Sequence, residues 1–159
     1  MQNKTKSITV YTDGSAHPQL KIGGWAAIIL VDGYEIKLEG IEYQTTHNRM
    51  ELQSVIKSLE FINSDLNGYD LVSVITDSQY VAGIPGRIEK FKSSNYKTKT
   101  GISVQNTDLL KKLVQFIENM PLNFIKIKAH LKSTDKINYN RTVDKRCRSI
   151  VRDAVKKLS

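Results

Sequence analysis

A change of hydrophobic period near residue 47 constrains this chain more than any other feature. Before it, apolar and β-branched residues run in three extended segments, Ile8 to Thr12, Gly23 to Val31 and Tyr34 to Tyr43. The last two flank Asp32-Gly33, a pair suited to the left-handed backbone that a two-residue hairpin demands. After it, in "HNRMELQSVIKSLEFI", Leu52, Val55, Ile56, Leu59 and Ile62 recur at helical spacing. Leu71 to Thr76 reads as a fourth strand, nearly all apolar, which fits burial on both faces. Ser78 to Ile84 reads as a short helix stopped by Pro85. Residues 86–104 are basic and less regular. Thr107 is expected to cap a helix carrying Leu109, Leu110, Leu113, Val114 and Ile117. Phe124 to Ala129 reads as a fifth strand. A final helix carries Val143, Cys147, Ile150, Val151, Ala154 and Leu158 on one stripe. The order βββαβαβα predicts an α/β fold, a five-stranded mixed β-sheet flanked by helices. With 159 residues and no repeat or linker, residues 1-159 are expected to form a single domain.

Two of the strand segments end alike. "SITVYTDGSA" and "LVSVITDSQY" both run into Thr-Asp. Side chains just beyond strand ends leave the core of an α/β sheet yet stay anchored, and function gathers there. If these strands are neighbours, Asp13 and Asp77 face each other. Like charges that close repel and raise a pKa, and a divalent cation between them removes the conflict. Hard oxygen ligands suit Mg²⁺ or Mn²⁺. Glu51, in the first turn of the first long helix, and Asp144, opening the last helix, are placed to join them. Each acid alone also fits a local role, since turn aspartates and first-turn helix acids are common. The four together fit a shared site better.

Charge points to a polyanionic partner. Residues 1–84 hold 6 basic and 10 acidic side chains, while residues 85–159 hold 18 basic and 6 acidic. A basic half joined to an acidic half suits a nucleic acid held beside a carboxylate site, although a solubilising surface has the same composition. The one cysteine, Cys147, excludes an intramolecular disulfide and fits a reducing compartment. "MQNKTKS" lacks the apolar stretch of a signal peptide, and no apolar run approaches membrane-spanning length. A cytoplasmic, monomeric protein with no membrane association and no obligate protein partner is the expectation.

Four segments, "YTDGSA", "NRMELQSVIKSLEFI", "VITDSQYV" and "NRTVDKRC", resemble in order the signature segments of type 1 ribonuclease H. The resemblance extends over nearly the whole chain. It implies the ribonuclease H-like fold and an endoribonuclease that cuts the RNA strand of RNA–DNA hybrids with two Mg²⁺ ions, Mn²⁺ being a possible substitute. It places Asp13, Glu51, Asp77 and Asp144 as catalytic, metal-binding carboxylates, with Asp13 shared between the ions and Glu51 near a ribose 2′-OH. The products it implies carry a 5′-phosphate and a 3′-hydroxyl. It places His130 as an auxiliary proton carrier. Here the chain departs from the family pattern, with Ala129 and Leu131 flanking the histidine and a longer basic loop, Lys132 to Tyr139, behind it. Thr46, His47 and Asn48, with Asn106, match family positions that hold a DNA phosphate and read sugar identity. Residues 86-104 resemble the family's basic substrate-binding protrusion, with Arg87, Lys90, Lys92, Lys97 and Lys99 interleaved with Phe91 and Tyr96. Trp25 reads as core. Another nuclease or strand-transfer enzyme of the same fold, or a non-catalytic hybrid-binding module, would share part of this pattern.

Overall fold

The computed structural model describes residues 6–128 and 138–158. Its strands are β1 (Ser7–Ala16), β2 (Gly23–Val31), β3 (Tyr34–Glu42), β4 (Leu71–Thr76) and β5 (Leu122–Lys126). Its helices are α1 (His47–Asp65), α2 (Gln79–Ala82), α3 (Ile88–Ser93), α4 (Thr107–Asn119) and α5 (Tyr139–Lys156), with a 3₁₀ turn at Pro85–Arg87 between α2 and α3. The strands form one five-stranded sheet in the order β3-β2-β1-β4-β5. The hairpins make β1, β2 and β3 antiparallel, whereas β4 and β5 join in parallel. The β2–β3 turn is the expected Asp32-Gly33, both residues having positive φ (50° and 79°), as a type I′ turn requires.

Alternation along β1 sends Ile8 and Val10 to one face of the sheet and Tyr11 to the other. On the first face, Leu52, Val55, Ile56, Leu59 and Ile62 of α1, all fully buried, pack with Leu110 and Leu113 of α4 over β1, β2 and β4. On the second face, Val143 and Cys147 of α5 pack against Ala26 and Ile28, with Tyr139 against Tyr11 at a ring separation of 5.2 Å. Two polar clamps fasten α5 to β3. Arg146 donates to both oxygens of Glu39 (2.8 and 2.6 Å), and the Tyr139 hydroxyl donates to Glu35 (2.6 Å). Trp25 is buried, as expected.

Several expectations change. The short helix ends at Ala82 with Gly83 as its cap, Pro85 opens a 3₁₀ turn, and the basic segment read as irregular contains α3. β4 alternates buried and half-buried residues, so only Val72, Val74 and Thr76 face a full core; its apolar composition is not matched by cover on both sides among the described residues. The cap of α4 is Asn106, in the left-handed conformation (φ 62°), while Thr107 turns its hydroxyl to the Val104 carbonyl. α5 starts at Tyr139, capped by the Asn138 side chain, so Asp144 does not open it. β5 starts two residues earlier than expected, at Leu122, because it pairs with β4 from Val72 onward.

Candidate active site

The site lies where the sheet changes sense. β1 pairs in parallel with β4 only as far as Tyr11 opposite Ile75, yet continues against β2 to Ala16. Asp13, opposite Ala26, is therefore inside β1 rather than at its end, level with the point where β4 turns away. Asp77 is the first residue beyond β4. A crevice opens at such a switch point, and ligands of open α/β sheets bind there. The Asp13 carboxylate accepts the Gly14 N–H at 2.8 Å.

Glu51 and Asp144 reach this crevice from opposite faces of the sheet, on α1 and α5. Neither helix has an acid in its first turn, which corrects the expected placement of both. The stabilising influence of a helix N-terminus falls off within that turn. Capping is thus no explanation for either carboxylate. Thr46 caps α1, its hydroxyl oxygen accepting the Arg49 N–H at 3.2 Å.

Asp13 is common to two groups of possible ligand atoms. Asp13, Glu51 and Asp77 offer oxygens within 4.8 Å of one another, and so do Asp13 and Asp144 together with the Cys147 sulfur. The four acids expected at the site are brought together. Asp13 is almost wholly buried, at 5% exposure. Loss of solvent, then the neighbouring Asp77 charge, push its pKa up to about 8. Asp77 is also raised, by burial first and by Glu51 and Asp144 after it. Without a cation, the cluster is a concentration of carboxylates that cannot all ionise comfortably.

Neighbouring groups tune it. His47 Nε2 lies 2.8 Å from Glu51 Oε1, and that hydrogen bond raises the His47 pKa. Arg148, one turn beyond Asp144, sits 3.2 Å from its carboxylate. Burial and the charges of Asp13 and Asp144 push the Cys147 thiol far up, so it stays protonated beside the oxygens. Sequence reading placed Cys147 in the core and missed this proximity; its spacing of three from Asp144 was the available signal. It also missed Arg49, whose guanidinium grips both oxygens of Asp108 (3.0 and 2.7 Å) and reaches Asn106 Oδ1 at 3.4 Å. This pair ties the start of α1 to the start of α4, and so ties Thr46 and Asn48 to Asn106.

The remaining candidates divide. Thr46, His47 and Asn48 are exposed on the rim, and Asn106 is half-buried. Arg87, Lys90, Lys92, Lys97 and Lys99 are exposed. Lys92 is held by Glu118 at 2.5 Å, whereas Lys90, Lys97 and Lys99 have no carboxylate partner among the described residues. Phe91 and Tyr96, expected on the substrate surface, are instead buried at 3% and 9% exposure. Their rings stack on each other at 5.5 Å, Arg87 lying over Phe91 and Lys111 over Tyr96. Burying two large rings is what anchors this basic segment to the core. His17 Nδ1 accepts the N–H groups of Gln19 and Leu20 within its own loop. His130 lies outside the described residues.

The five-stranded sheet with its flanking helices is shared with solved proteins of the ribonuclease H fold. LC9-RNase H1, described as a type 1 RNase H with the type 2 active-site motif, superposes with a TM-score of 0.75 over 95% of this chain and 74% of its own, at 21% identity. LC11-RNase H1, solved with an RNA/DNA hybrid, gives a TM-score of 0.68 over 93% of this chain and 99% of its own, at 19% identity. At such identities the likeness establishes the fold. The chain belongs to the ribonuclease H family, whose model matches residues 5–152. Curated ribonucleases H agree: that of Caldicellulosiruptor saccharolyticus is 34% identical over 96% of this chain and 99% of its own length. That of Wolbachia sp. subsp. Drosophila simulans is 37% identical over 94% and 98%.

Proposed function

We propose that this protein hydrolyses the RNA strand of RNA–DNA hybrids with two divalent cations, leaving 5′-phosphate and 3′-hydroxyl ends. Family membership supports the reaction. The convergence of Asp13, Glu51, Asp77 and Asp144 is the observation that carries the mechanism. The donor set fits Mg²⁺ or Mn²⁺: it is all oxygen apart from a thiol that stays protonated, and its raised carboxylates are those a cation would relieve. Bound there, the ions supply an acidified water and neutralise charge on the attacking and departing oxygens.

The chain's own residues do the rest. Asp13, belonging to both ligand groups, would be the residue that helps to hold both ions. Asp77 and Asp144 flank it, and Glu51 closes the other side. Glu51 is also assigned the contact with a ribose 2′-OH, the group that distinguishes RNA from DNA. Thr46, Asn48 and Asn106, braced by the Arg49–Asp108 pair, hold a phosphate of the DNA strand without reading bases. His130 is assigned the transfer of a proton at the attacking water or the leaving oxygen. The chain acts as a monomer in the cytoplasm.

Lys90, Lys97 and Lys99, with Arg87, form the basic handle for the duplex. Phe91 and Tyr96 serve it from within, by fixing the backbone that displays the cations. Changing Lys90, Lys97 and Lys99 to alanine is expected to weaken hybrid binding and to shrink the slope of log K against log salt by about 0.9 for each phosphate no longer neutralised. Unchanged affinity and slope in a filter-binding titration would remove the handle from this region.

The deciding experiment is cleavage of end-labelled hybrid beside matched single-stranded RNA, duplex RNA, duplex DNA and a four-way junction. Only the RNA of the hybrid should be cut, and chelator should abolish the reaction. Cleavage of duplex DNA or the junction would favour a different nuclease of this fold. Binding without turnover in Mg²⁺ would favour a hybrid-binding module.

A further inference from the structure

We infer that His47 is a positioning residue for Glu51, holding that carboxylate in place for metal binding, rather than a contact for the nucleic acid. This rests on the reading of Glu51 as a metal ligand. His47 and Glu51 are four residues apart on α1, the spacing that stacks side chains on one helix face. His47 Nε2 lies 2.8 Å from Glu51 Oε1. The pair is asymmetric in exposure: the histidine side chain is 60% exposed and the glutamate 8%. The imidazole therefore covers the carboxylate from the solvent side. Among the described residues it is the one side chain within hydrogen-bond distance of the Glu51 carboxylate, since Ser54 bonds only the Glu51 backbone carbonyl; Oε2 is left for the cluster.

The platform under His47 is stiff. Thr46 caps the helix through the Arg49 N–H (3.2 Å), the Thr46 carbonyl accepts the Met50 N–H (3.0 Å), and Arg49 is clamped to Asp108 on α4. A glutamate has three rotatable bonds and needs such a partner to present one oxygen in one direction. A hydrogen bond to a ligand's spare atom does this in metal sites, and losing it typically weakens metal binding by roughly 10–100-fold. A neutral imidazole with its proton on Nε2, the tautomer that a carboxylate partner selects, donates as the charged one does, so the role does not depend on titration.

The test is Mn²⁺ binding to the hybrid-free protein, followed by electron paramagnetic resonance, alongside steady-state cleavage at varied Mg²⁺ and varied hybrid. His47→Ala is expected to bind Mn²⁺ about tenfold more weakly and to need correspondingly more Mg²⁺ for half-maximal cleavage, with KM for hybrid unchanged. His47→Gln, which keeps a donor, should recover part of the loss. His47→Ala that binds Mn²⁺ like the wild type, or that raises KM for hybrid while Mn²⁺ affinity holds, overturns the inference and returns His47 to the substrate surface. Wild-type protein that binds no Mn²⁺ overturns the metal-site reading itself, and this inference with it.

Discussion

Asp13→Asn is expected to give a protein that cleaves hybrid at least about a thousandfold more slowly, a loss of roughly 4 kcal/mol of transition-state stabilisation, yet unfolds at a higher temperature than the wild type in chelator. Both effects come from one cause. Asp13 is buried among carboxylates, and its pKa stands at about 8 instead of 3.8. In the unfolded chain it would ionise near pH 4. Between those values the folded state holds a proton that the unfolded state has released. Metal-free stability is therefore complete below about pH 4 and declines as pH rises towards 8. At neutral pH and above, the penalty is on the order of 3 kcal/mol after allowance for relaxation around the site. Asparagine fits the same space, carries no charge and removes the Asp13 share of the slope, leaving the smaller share of Asp77. Thermal melts of both proteins in chelator from pH 4.5 to 8.5 check this. A wild-type curve parallel to that of the variant would mean that Asp13 is not under strain. Saturating Mg²⁺ should raise the wild-type melting temperature and leave the variant nearly unmoved, since a ligand stabilises only the state that binds it.

Gly14→Ala should be among the most damaging small substitutions in the chain. A Cβ at residue 14 would lie 2.4 Å from the Glu51 nitrogen and 2.4 Å from the Met50 carbonyl carbon. Both are backbone atoms, so no side-chain rotation relieves the clash. Either β1 or the start of α1 must move, at an expected cost of about 3 kcal/mol or more. For a domain of this size that lowers the melting temperature by roughly 6–12 °C. The same movement carries Glu51 away from Asp13, so activity should fall even at temperatures where the variant is folded. Gly86→Ala is the control, because nothing lies within 4 Å of its added Cβ; its change should stay within about 0.5 kcal/mol. Equal melting temperatures for the two variants would show that β1 and α1 can separate at little cost.

The two variants bear on features of different legibility. Asp13 was visible in the sequence, because a β-branched run stopping at Thr-Asp is a local pattern that occurs twice. The hairpin at Asp32-Gly33 and the stripe of α1 were visible for the same reason: each signal lies within a few residues. The close approach at Gly14 was not. It depends on Met50 and Glu51, far along the chain, and a glycine after an aspartate reads equally well as a turn. The extension of β1 through Gly14, Ser15 and Ala16 was hidden likewise, because small residues have little strand propensity and pair there only because Gly23, Gly24 and Trp25 lie opposite. Phe91 and Tyr96 misled because a short, irregular segment has no period from which to read a buried face. Arg49 and Asp108 are opposite charges in a sequence full of both, and nothing local pairs them.

The sequence by itself determined the order of the five strands and three long helices, the family, and which four carboxylates to look for, since these rest on short-range pattern and residue type. Only the tertiary structure decided that Asp13 sits within its strand at the place where β4 turns away, that Glu51 and Asp144 meet it from opposite faces, and that His47 and Arg148 flank them. Those relations are set by sheet register and helix packing between residues distant in the chain. The shift of Asp13 follows from them: a carboxylate's pKa responds to the water it loses and the charges brought beside it, and neither exists until the chain has folded.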